Sequence, residues 1–405
     1  MYISHLSLTN FRNYGRLELA LKPGVTLFHG ANAQGKTNLL EAVFYLATTR
    51  SPQADQDSQL INWIADESGE TIIVGRLVAQ MQTDDGSHQV ELRLIKEQGV
   101  FRREALVDQR KVRLMDLLGN LRAVLFLPQD MQIITGPPAE RRRYLDIALC
   151  QMDRHYCRHL SLYNKVLEQR NVLLRQIGET GSGRDVLPVY TEQLVQLGSQ
   201  IFWQRAHFMT GLALYAQRIH YEQLTEQNEV LRLGYLPHLE NEASKMSNGD
   251  DEESPDSLLE MGNWLEDSLG VKDVEKRFKA SVAAATETDI QRGRTTLGPH
   301  RDDWKFWVNG RDLRHFGSRG QQRSAMLALK LAEVQWITEQ TGDAPIVLLD
   351  EVMSELDIRR RALLLHTVQT VPQALMTSTD LSMFESTFLH RAITVTIAKG
   401  QAQFD

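Results

Sequence analysis

The chain has 405 residues, 42% hydrophobic and 24% charged, which is ordinary for a soluble globular protein. No segment approaches the roughly 18 apolar residues of a membrane span, residues 1–5 lack a secretory pattern, and the two cysteines fit no zinc or disulfide pattern. We therefore expect a cytoplasmic protein without a membrane partner. The net charge of −7 argues against general attraction to nucleic acid, although a local basic cluster could still bind it.

The first 50 residues predict two strands, a glycine-rich loop and a helix. The leucines of residues 16–21 occupy every second position, which predicts a strand with one buried face. Residues 25–28 form a short apolar run typical of a buried parallel strand, and the apolar residues of 39–47 recur with helical spacing. Between them, residues 30–37 read GANAQGKT and fit G-x-x-x-x-G-K-[ST]. This order of elements predicts a loop that binds nucleotide phosphates.

Each residue type in this loop has a chemical role. The backbone N–H groups of residues 33–37 can donate to phosphate oxygens, and the following helix adds its positive N-terminal end. The Lys36 ammonium is expected at the β- and γ-phosphates of ATP, and the Thr37 hydroxyl at Mg²⁺. The candidate nucleotide-binding residues are Gly30, Ala31, Asn32, Ala33, Gln34, Gly35, Lys36 and Thr37.

The middle of the chain changes from strand to helix character. Residues 90–94 alternate and residues 100–112 are rich in strand formers, which predicts an antiparallel sheet beside the nucleotide core. Residues 141–177 and 190–231 are predicted to be mostly helical, and they contain no sustained heptads. An acidic, polar segment at about 240–256 predicts a mobile loop.

Helix is predicted to resume over residues 257–285, and strand character returns after Gly298. Alternating apolar residues at 304–308, followed by Asn309-Gly310, predict a strand and a hairpin turn. Residues 321–337 then predict an amphipathic helix.

A buried strand is predicted at residues 346–349, and two acids follow it directly. Asp350 stands where a carboxylate can hold Mg²⁺, and Glu351 could orient or deprotonate the attacking water. With the phosphate loop upstream, this pair predicts nucleotide hydrolysis.

Residues 318–323 read SRGQQR and precede the amphipathic helix. A Ser and a Gly at a helix N-terminus can approach a γ-phosphate closely. Because the chain already has a phosphate loop, a second such helix end suggests a site completed by another subunit. The alternative is that Ser318 only caps the helix.

The order of these motifs resembles the ABC-type ATPase heads of the SMC-like DNA repair proteins, and more narrowly the RecF family. The similarity spans nearly the whole chain. It is carried by the segments at 8–14 (LTNFRNY), 30–37, 136–138 (GPP), 141–146 (RRRYLD), 297–303 (LGPHRDD), 318–322 (SRGQQ) and 348–357 (LLDEVMSELD). Ala33 departs from the pattern, since such families often have Gly there, and the acidic segment 248–256 matches nothing we can place.

The resemblance implies an α/β fold, with an ABC-type P-loop ATPase head formed by both chain ends and an inserted helical arm. The expected domains are 1–114 and 295–405 for the head and 115–294 for the arm. It further implies an ATP-dependent homodimer with weak, DNA-stimulated ATP hydrolysis. Such a dimer would bind duplex DNA or single/double-strand junctions at gaps and promote recombinase loading with RecO and RecR.

Residue roles follow from the same resemblance. Lys36, Thr37 and Asp350 would bind phosphate and Mg²⁺, and Glu351 would be the catalytic base. Gln129 takes the place of a glutamine that senses Mg²⁺ and water. The residues that act across the dimer would be Ser318, Arg319, Gly320 and Gln321.

Further positions also match the family. Arg12 and Asn13 resemble residues near the bound nucleotide. Residues 354–357 resemble the dimer-contact loop, and residues 377–379 (TST) take the place of the γ-phosphate switch.

Several basic clusters could contact DNA phosphates, which need positive charge but no sequence code. The candidates chosen are Arg102, Arg103, Arg110, Arg141, Arg142 and Arg143. Lys111, Arg113, Arg292 and Arg294 extend the set, and any of these clusters could instead be a solvated surface. His300, Asp302 and Asp303 could suggest a metal site, but the two aspartates more readily turn the chain into the strand at Trp304.

Other protein classes fit less well. An SMC-like structural DNA tether is the main alternative, and the missing long coiled coil argues against it. A metabolic P-loop kinase would have no signature such as residues 318–323. An ABC transporter subunit fits the N-terminal strands and the large helical insertion poorly, and a nuclease would need a further acidic metal cluster.

Overall fold

A computed structural model describes residues 1–67, 69–240, 262–265, 267–268 and 270–405. The chain forms two compact units. The first comprises Met1–Asp130, Cys150–Arg154 and Lys330–Asp405, and the second comprises Met131–Leu149 and His155–Leu329. The acidic segment 248–256, for which a mobile loop was predicted, lies outside the described residues.

The strands in the described residues are β1 (Tyr2–Phe11), β2 (Tyr14–Ala20), β3 (Gly24–His29), β4 (Ile72–Thr83), β5 (Gly86–Glu97), β6 (Val100–Val107), β7 (Arg110–Val112), β8 (Ala123–Phe126), β9 (Leu231–Leu236), β10 (Asp303–Val308), β11 (Arg311–Asp312), β12 (Ile346–Asp350), β13 (Gln373–Ser378), β14 (Ile393–Ala398) and β15 (Gln401–Phe404).

The α-helices in the same residues are α1 (Lys36–Thr48), α2 (Trp63–Asp66), α3 (Leu114–Leu117), α4 (Gln132–Thr135), α5 (Pro138–Met152), α6 (Arg154–Thr180), α7 (Leu187–Ile219), α8 (Val271–Arg292), α9 (Leu313–Phe316), α10 (Arg319–Thr341), α11 (Ile358–Thr370) and α12 (Ser386–Leu389). In the part of the chain that the structure describes, none of the helices combines the length and apolar character needed to cross a membrane.

The core of the first unit is a six-stranded sheet in the order β15-β14-β3-β13-β12-β8. The strands from β14 to β8 pair in parallel, and β15 is antiparallel to β14. The five residues of β12 are all buried, as expected for a parallel strand covered on both faces. The buried strands predicted at 25–28 and 346–349 are confirmed.

A second sheet in this unit is fully antiparallel, in the order β2-β1-β4-β5-β6-β7. It confirms the antiparallel sheet predicted from residues 90–112. Helix α1 contacts β8 and β12 of the first sheet and β4 and β5 of the second. Because α1 is buried along most of its length, the loop before it is anchored in the core of the unit.

The second unit contains long helices and the small sheet β11-β10-β9. Helices α7 and α8 pack closely: the rings of Phe202 and Phe278 meet edge to face with centroids 5.1 Å apart. A Cβ on Gly198 would lie 2.7 Å from the Phe278 ring, so the small residue permits this approach. The predicted hairpin turn at Asn309-Gly310 is confirmed between β10 and β11.

The helix predicted over 190–231 is wrong at its end. Helix α7 ends at Ile219, a π-helical turn covers His220–Leu224, and β9 begins at Leu231. The residues Leu231, Leu233 and Tyr235 are buried against β10. Two-residue alternation over so short a segment is easily missed beside a long helix.

The unit boundaries differ from the predicted domains. Residues 115–130 belong to the first unit because β8 is the strand at the edge of its parallel sheet. Residues 295–329 belong to the second unit, where β10 pairs with β9. Both placements depend on strand pairing between segments far apart in the sequence.

Candidate nucleotide site and its surroundings

The phosphate loop and the acidic pair lie at one edge of the parallel sheet. Strands β3, β13 and β12 are adjacent and parallel, so their carboxyl ends meet at the same edge. The loop follows β3, Thr377 and Ser378 end β13, and Asp350 ends β12 directly opposite Thr377. This edge is the usual ligand-binding position of an open α/β sheet.

Two glycines of the loop combine a positive φ with close neighbours. A Cβ on Gly30, whose φ is 145°, would lie 2.3 Å from the backbone oxygen of Ile397. A Cβ on Gly35, whose φ is 112°, would lie 2.4 Å from Asn13 Nδ2. Ala33 adopts φ 62°, in the left-handed region that Gly adopts more readily. A Gly, the residue that the family resemblance led us to expect at this position, would adopt this conformation more readily.

Gln34 is held by residues from both ends of the chain. Its backbone oxygen accepts hydrogen bonds from Asn13 Nδ2 at 3.0 Å and from the Gly400 N–H at 3.2 Å. Its side-chain Oε1 accepts one from the Lys399 N–H at 2.7 Å. Tyr14 Oη donates to the Gly35 oxygen at 2.9 Å. Sequence reasoning did not find the turn at 399–400, because no local pattern links it to the loop.

The Lys36 ammonium is buried among oxygens. Its Nζ donates to the Gly30 and Ala31 backbone oxygens at 2.9 and 3.0 Å and lies 3.3 Å from Glu351 Oε1. The side chain is only 5% exposed. The lysine therefore links the phosphate loop directly to the acid that follows β12.

Asp350 accepts two hydroxyl hydrogen bonds on one oxygen. Thr37 Oγ1 and Thr377 Oγ1 donate to Asp350 Oδ1 at 2.9 and 2.8 Å. Burial raises the pKa of Asp350, while these two hydrogen bonds oppose the rise. The structure thus brings together Thr37 and Asp350, the two residues predicted to hold a metal.

Glu351 adopts a left-handed backbone conformation with φ 53°. Its N–H donates to Thr377 Oγ1 at 2.9 Å, and its Oε2 accepts from Thr379 Oγ1 at 3.5 Å. With Lys36 near the other carboxylate oxygen, the side chain lies between the loop and the end of β13. Non-glycine residues in this conformation are concentrated at functional sites.

Arg12 is directed at helix α1. It forms two hydrogen bonds of 2.8 Å with the carboxylate of Glu41, which is 1% exposed. Ser51 Oγ donates to the same carboxylate at 2.5 Å. Arg12 therefore supports the helix that begins in the phosphate loop, whereas Asn13 contacts the loop itself.

Gln129 lies in the short 3-10 turn Pro128–Met131 that follows β8, and its side chain is exposed. Because β8 is parallel to β12, this turn lies at the same sheet edge as Asp350. The neighbouring Asp130 is 3.7 Å from Lys330 Nζ, and burial raises its pKa. Asp130 was not among the predicted site residues.

Ser318 caps helix α10. Its Oγ accepts from the Gln321 N–H at 3.2 Å, and its own N–H donates to Gln321 Oε1 at 2.9 Å. This is a reciprocal capping box. Gln321 Nε2 also donates to Glu229 at 2.8 Å. Ser318 and Arg319 remain exposed, so capping does not remove them from the surface.

Arg141 is a structural residue, and its choice as a DNA contact is corrected. Its side chain is 3% exposed and pairs with Asp303 at 2.6 Å. It also donates to the backbone oxygens of Ile133 and Gly136 at 3.3 and 2.9 Å. Arg142 donates to the Asp302 oxygen at 2.7 Å and is half-buried. Arg143 is exposed.

The basic residues of the antiparallel sheet differ in exposure. Arg102 is 51% exposed and pairs with Glu104 at 2.6 Å. Arg103 is more enclosed, since it pairs with Asp57 at 2.7 Å and donates to the Thr49 oxygen at 3.1 Å. Arg110 is exposed on β7. Arg102 and Arg110 therefore present more charge to solvent than Arg103.

The segment around Asp302 forms a buried network in the second unit. Asp302 accepts from Arg205 and from the His238 N–H, both at 2.8 Å, and from Tyr235 Oη. His300 Nδ1 lies 2.7 Å from Tyr163 Oη. Among the described residues, there is no cluster of three or more His, Cys, Asp or Glu suited to a metal. The geometry agrees with a structural role for both aspartates.

Comparisons with known proteins agree over nearly the whole chain. The sequence model of the family described as RecF/RecN/SMC N terminal domain matches residues 2–403. DNA replication and repair protein RecF of Chloroflexus aurantiacus is 40% identical over 412 residues, 99% of this chain and 99% of that protein.

Solved structures show the same relationship. The structure of the recombination mediator protein RecF-ATPrS in the RecFOR pathway matches with a TM-score of 0.82 at 30% identity, over 100% of this chain and 98% of that one. The Smc head domain of Pyrococcus furiosus matches with a TM-score of 0.50 at 15% identity, over 100% and 96%. The latter match shows a shared fold.

Proposed function

The chain belongs to the RecF/RecN/SMC N-terminal domain family, and from this premise we propose that it is an ATP-dependent DNA-binding protein of recombinational repair. The observation that carries the proposal is the convergence of Lys36, Thr37, Asp350 and Glu351 at one sheet edge. The relatives named RecF, at about 40% identity over their full length, support a role in DNA replication and repair.

ATP would bind at residues 30–37. Gly30 and Gly35 hold the loop in backbone conformations with positive φ, at positions where a Cβ would approach Ile397 or Asn13, and the amide groups of such a loop can donate to phosphate oxygens. Lys36 would exchange its present hydrogen bonds to Gly30 and Ala31 for bonds to phosphate. The proposal is supported by the match to RecF structures described with ATP.

Thr37 and Asp350 would hold Mg²⁺. The Thr37 hydroxyl donates a hydrogen bond to Asp350 Oδ1 at 2.9 Å. Its oxygen lone pairs therefore remain available to a cation. Hard oxygen donors of this kind suit Mg²⁺, which proteins bind through one or two carboxylates plus substrate phosphates. When bound, the ion neutralises charge on the phosphates.

Glu351 is the proposed general base of a slow ATP hydrolysis. While Lys36 lies 3.3 Å from its carboxylate, the carboxylate is paired and poorly placed to accept a proton from water. Phosphate oxygens compete for the same ammonium, so binding would release the base. Gln129, at the same edge, would help to orient the water.

A second copy of the chain would complete the site. Ser318, Arg319, Gly320 and Gln321 begin helix α10, and the first two are exposed. A helix N-terminus favours contact with a phosphate. We therefore propose an ATP-dependent homodimer in which this segment acts on the partner's nucleotide.

The dimer would bind duplex DNA or single/double-strand junctions and promote recombinase loading with RecO and RecR in the cytoplasm. The exposed Arg102, Arg110 and Arg143 are the candidates that could contact phosphates. The description of a related structure as a recombination mediator in the RecFOR pathway supports this assignment.

The test is the mass of the Glu351→Gln variant, measured by light scattering with ATP and with ADP. Blocking hydrolysis should trap the ATP-bound dimer, so we expect a mass near twice 46.2 kDa with ATP only. Adding Ser318→Arg should abolish the dimer by placing a bulky cation at the composite site.

The matched control is Ser182→Arg, which adds the same charge at an exposed turn of the same unit. It should leave the ATP-dependent dimer intact. A monomer under every nucleotide and DNA condition would refute the composite site, and an equal effect of both arginines would refute the role of Ser318.

A further inference from the structure

Thr377 is a buried residue at the end of β13 that contacts both acids of the site. It is 1% exposed and lies opposite Asp350 in the parallel pairing of β12 and β13. Its hydroxyl donates to Asp350 Oδ1 at 2.8 Å and accepts from the Glu351 N–H at 2.9 Å. The hydroxyl proton is therefore already committed, and burial keeps the group from a ligand.

Asp350 depends on this hydroxyl for its orientation. Its Oδ1 accepts from Thr37 and Thr377 at 2.9 and 2.8 Å, and the residue is only 6% exposed. A buried acceptor that loses one of its donors is not compensated by water. Loss of the Thr377 hydroxyl would therefore leave the carboxylate held by Thr37 alone and less fixed.

The same hydroxyl constrains Glu351. This residue has φ 53°, a conformation that residues with a Cβ adopt only at an energetic cost. The bond from its N–H to Thr377 holds the backbone in this state. Its carboxylate consequently lies between Lys36 Nζ, at 3.3 Å, and Thr379 Oγ1, at 3.5 Å.

We propose that Thr377 is a positioning residue for ATP hydrolysis, whose single hydroxyl orients both the Mg²⁺-side acid Asp350 and the base Glu351. The inference rests on the proposed ATPase function. In this proposal Thr377 acts through Asp350 and Glu351 and does not contact the substrate. This role differs from that of a γ-phosphate switch, which was expected for residues 377–379.

The test compares Thr377→Val, which removes the hydroxyl at nearly constant shape, with Thr377→Ser, which keeps it. Thr377→Val should lower kcat by roughly 10- to 100-fold, the range expected when a catalytic group is misplaced by about 1 Å. The affinity for ATP should stay within about threefold, because the phosphate loop is untouched. Thr377→Ser should keep kcat within about threefold.

One readout separates positioning from general loosening of the fold. In Thr377→Val, half-maximal hydrolysis should need several times more Mg²⁺, because Asp350 loses one of the two hydroxyls that orient its carboxylate.

Thr26 offers a matched control in the same sheet. It is fully buried in β3, and its Oγ1 has no hydrogen-bond partner among the residues that the structure describes. Thr26→Val makes the same chemical change away from the acids and should leave kcat and the Mg²⁺ dependence unchanged.

Retention of kcat in Thr377→Val would overturn the proposal, as would equal losses in Thr377→Val and Thr377→Ser, since the methyl group would then be responsible. Should circular dichroism show that Thr377→Val is unfolded, Thr377→Cys replaces it with the same expectations. A different result addresses the proposed function: wild-type protein no more active than Glu351→Gln would refute the ATPase itself.

Discussion

Replacing Gly30 with Ala should strongly lower the affinity for ATP in a protein that still folds. The new Cβ would lie 2.3 Å from the backbone oxygen of Ile397 in β14. Ordinary contact distances for a carbon atom are about 3.5 Å, so the loop would have to retreat by roughly 1 Å. That backbone oxygen belongs to a strand paired with β3, which leaves the loop as the part that moves.

The magnitude follows from the hydrogen bonds that such a shift would disrupt. Loss of two amide hydrogen bonds to charged phosphate oxygens, at about 1.5–3 kcal/mol each, removes about 3–6 kcal/mol of binding free energy. This corresponds to an affinity loss of roughly 10²- to 10⁴-fold. The positive φ of 145° adds a backbone cost of about 1–3 kcal/mol to folding itself.

Gly24→Ala provides the matched control at the other end of the same strand. Gly24 also has a positive φ, 95°, but a Cβ there would meet nothing within 4 Å. Both variants should lose stability in urea denaturation, Gly30→Ala at least as much as Gly24→Ala, while only Gly30→Ala should lose affinity in a titration with a fluorescent ATP analogue. Equal ATP affinities for the two variants would refute the steric argument.

Three other predictions concern stability and DNA binding. Arg141→Ala should lower the free energy of unfolding by about 3–5 kcal/mol, because it leaves the Asp303 carboxylate without its ion-pair partner. Arg102→Ala, at an exposed ion pair, should change the free energy of unfolding by less than about 1 kcal/mol. Urea denaturation measures both values. Burial lowers the pKa of His300 to about 4, so between pH 6.5 and 4 the unfolded chain binds a proton that the folded chain does not bind. Up to roughly 3 kcal/mol of the free energy of unfolding, fully present above pH 6.5, should therefore be lost as the pH falls toward 4. His300→Gln should flatten this part of the plot of unfolding free energy against pH. Affinity for duplex DNA should fall by at least tenfold between about 50 and 200 mM salt, and a flat response in a fluorescence anisotropy titration would contradict phosphate contacts.

The local motifs of the site were readable from the sequence. Residues 30–37, Asp350 and Glu351 were predicted as one nucleotide site, and the structure places them at one edge of the parallel sheet. Such prediction is feasible because a phosphate loop uses contiguous backbone amides, and because a glycine, a lysine and a short apolar strand each leave a local signal. The family resemblance rested on these residues and on further contiguous segments such as 8–14 and 297–303.

Tertiary structure alone decided which groups act together. Arg141 and Arg143 are neighbours in one basic run, yet the first is buried against Asp303 and the second is exposed. Gln34 accepts a hydrogen bond from Lys399, 365 positions away. Thr377 forms hydrogen bonds with both Asp350 and Glu351 only because β12 and β13 pair in register. Burial and long-range hydrogen bonds depend on which distant segments pack together. The type of a single residue and its sequence neighbours do not predict this packing.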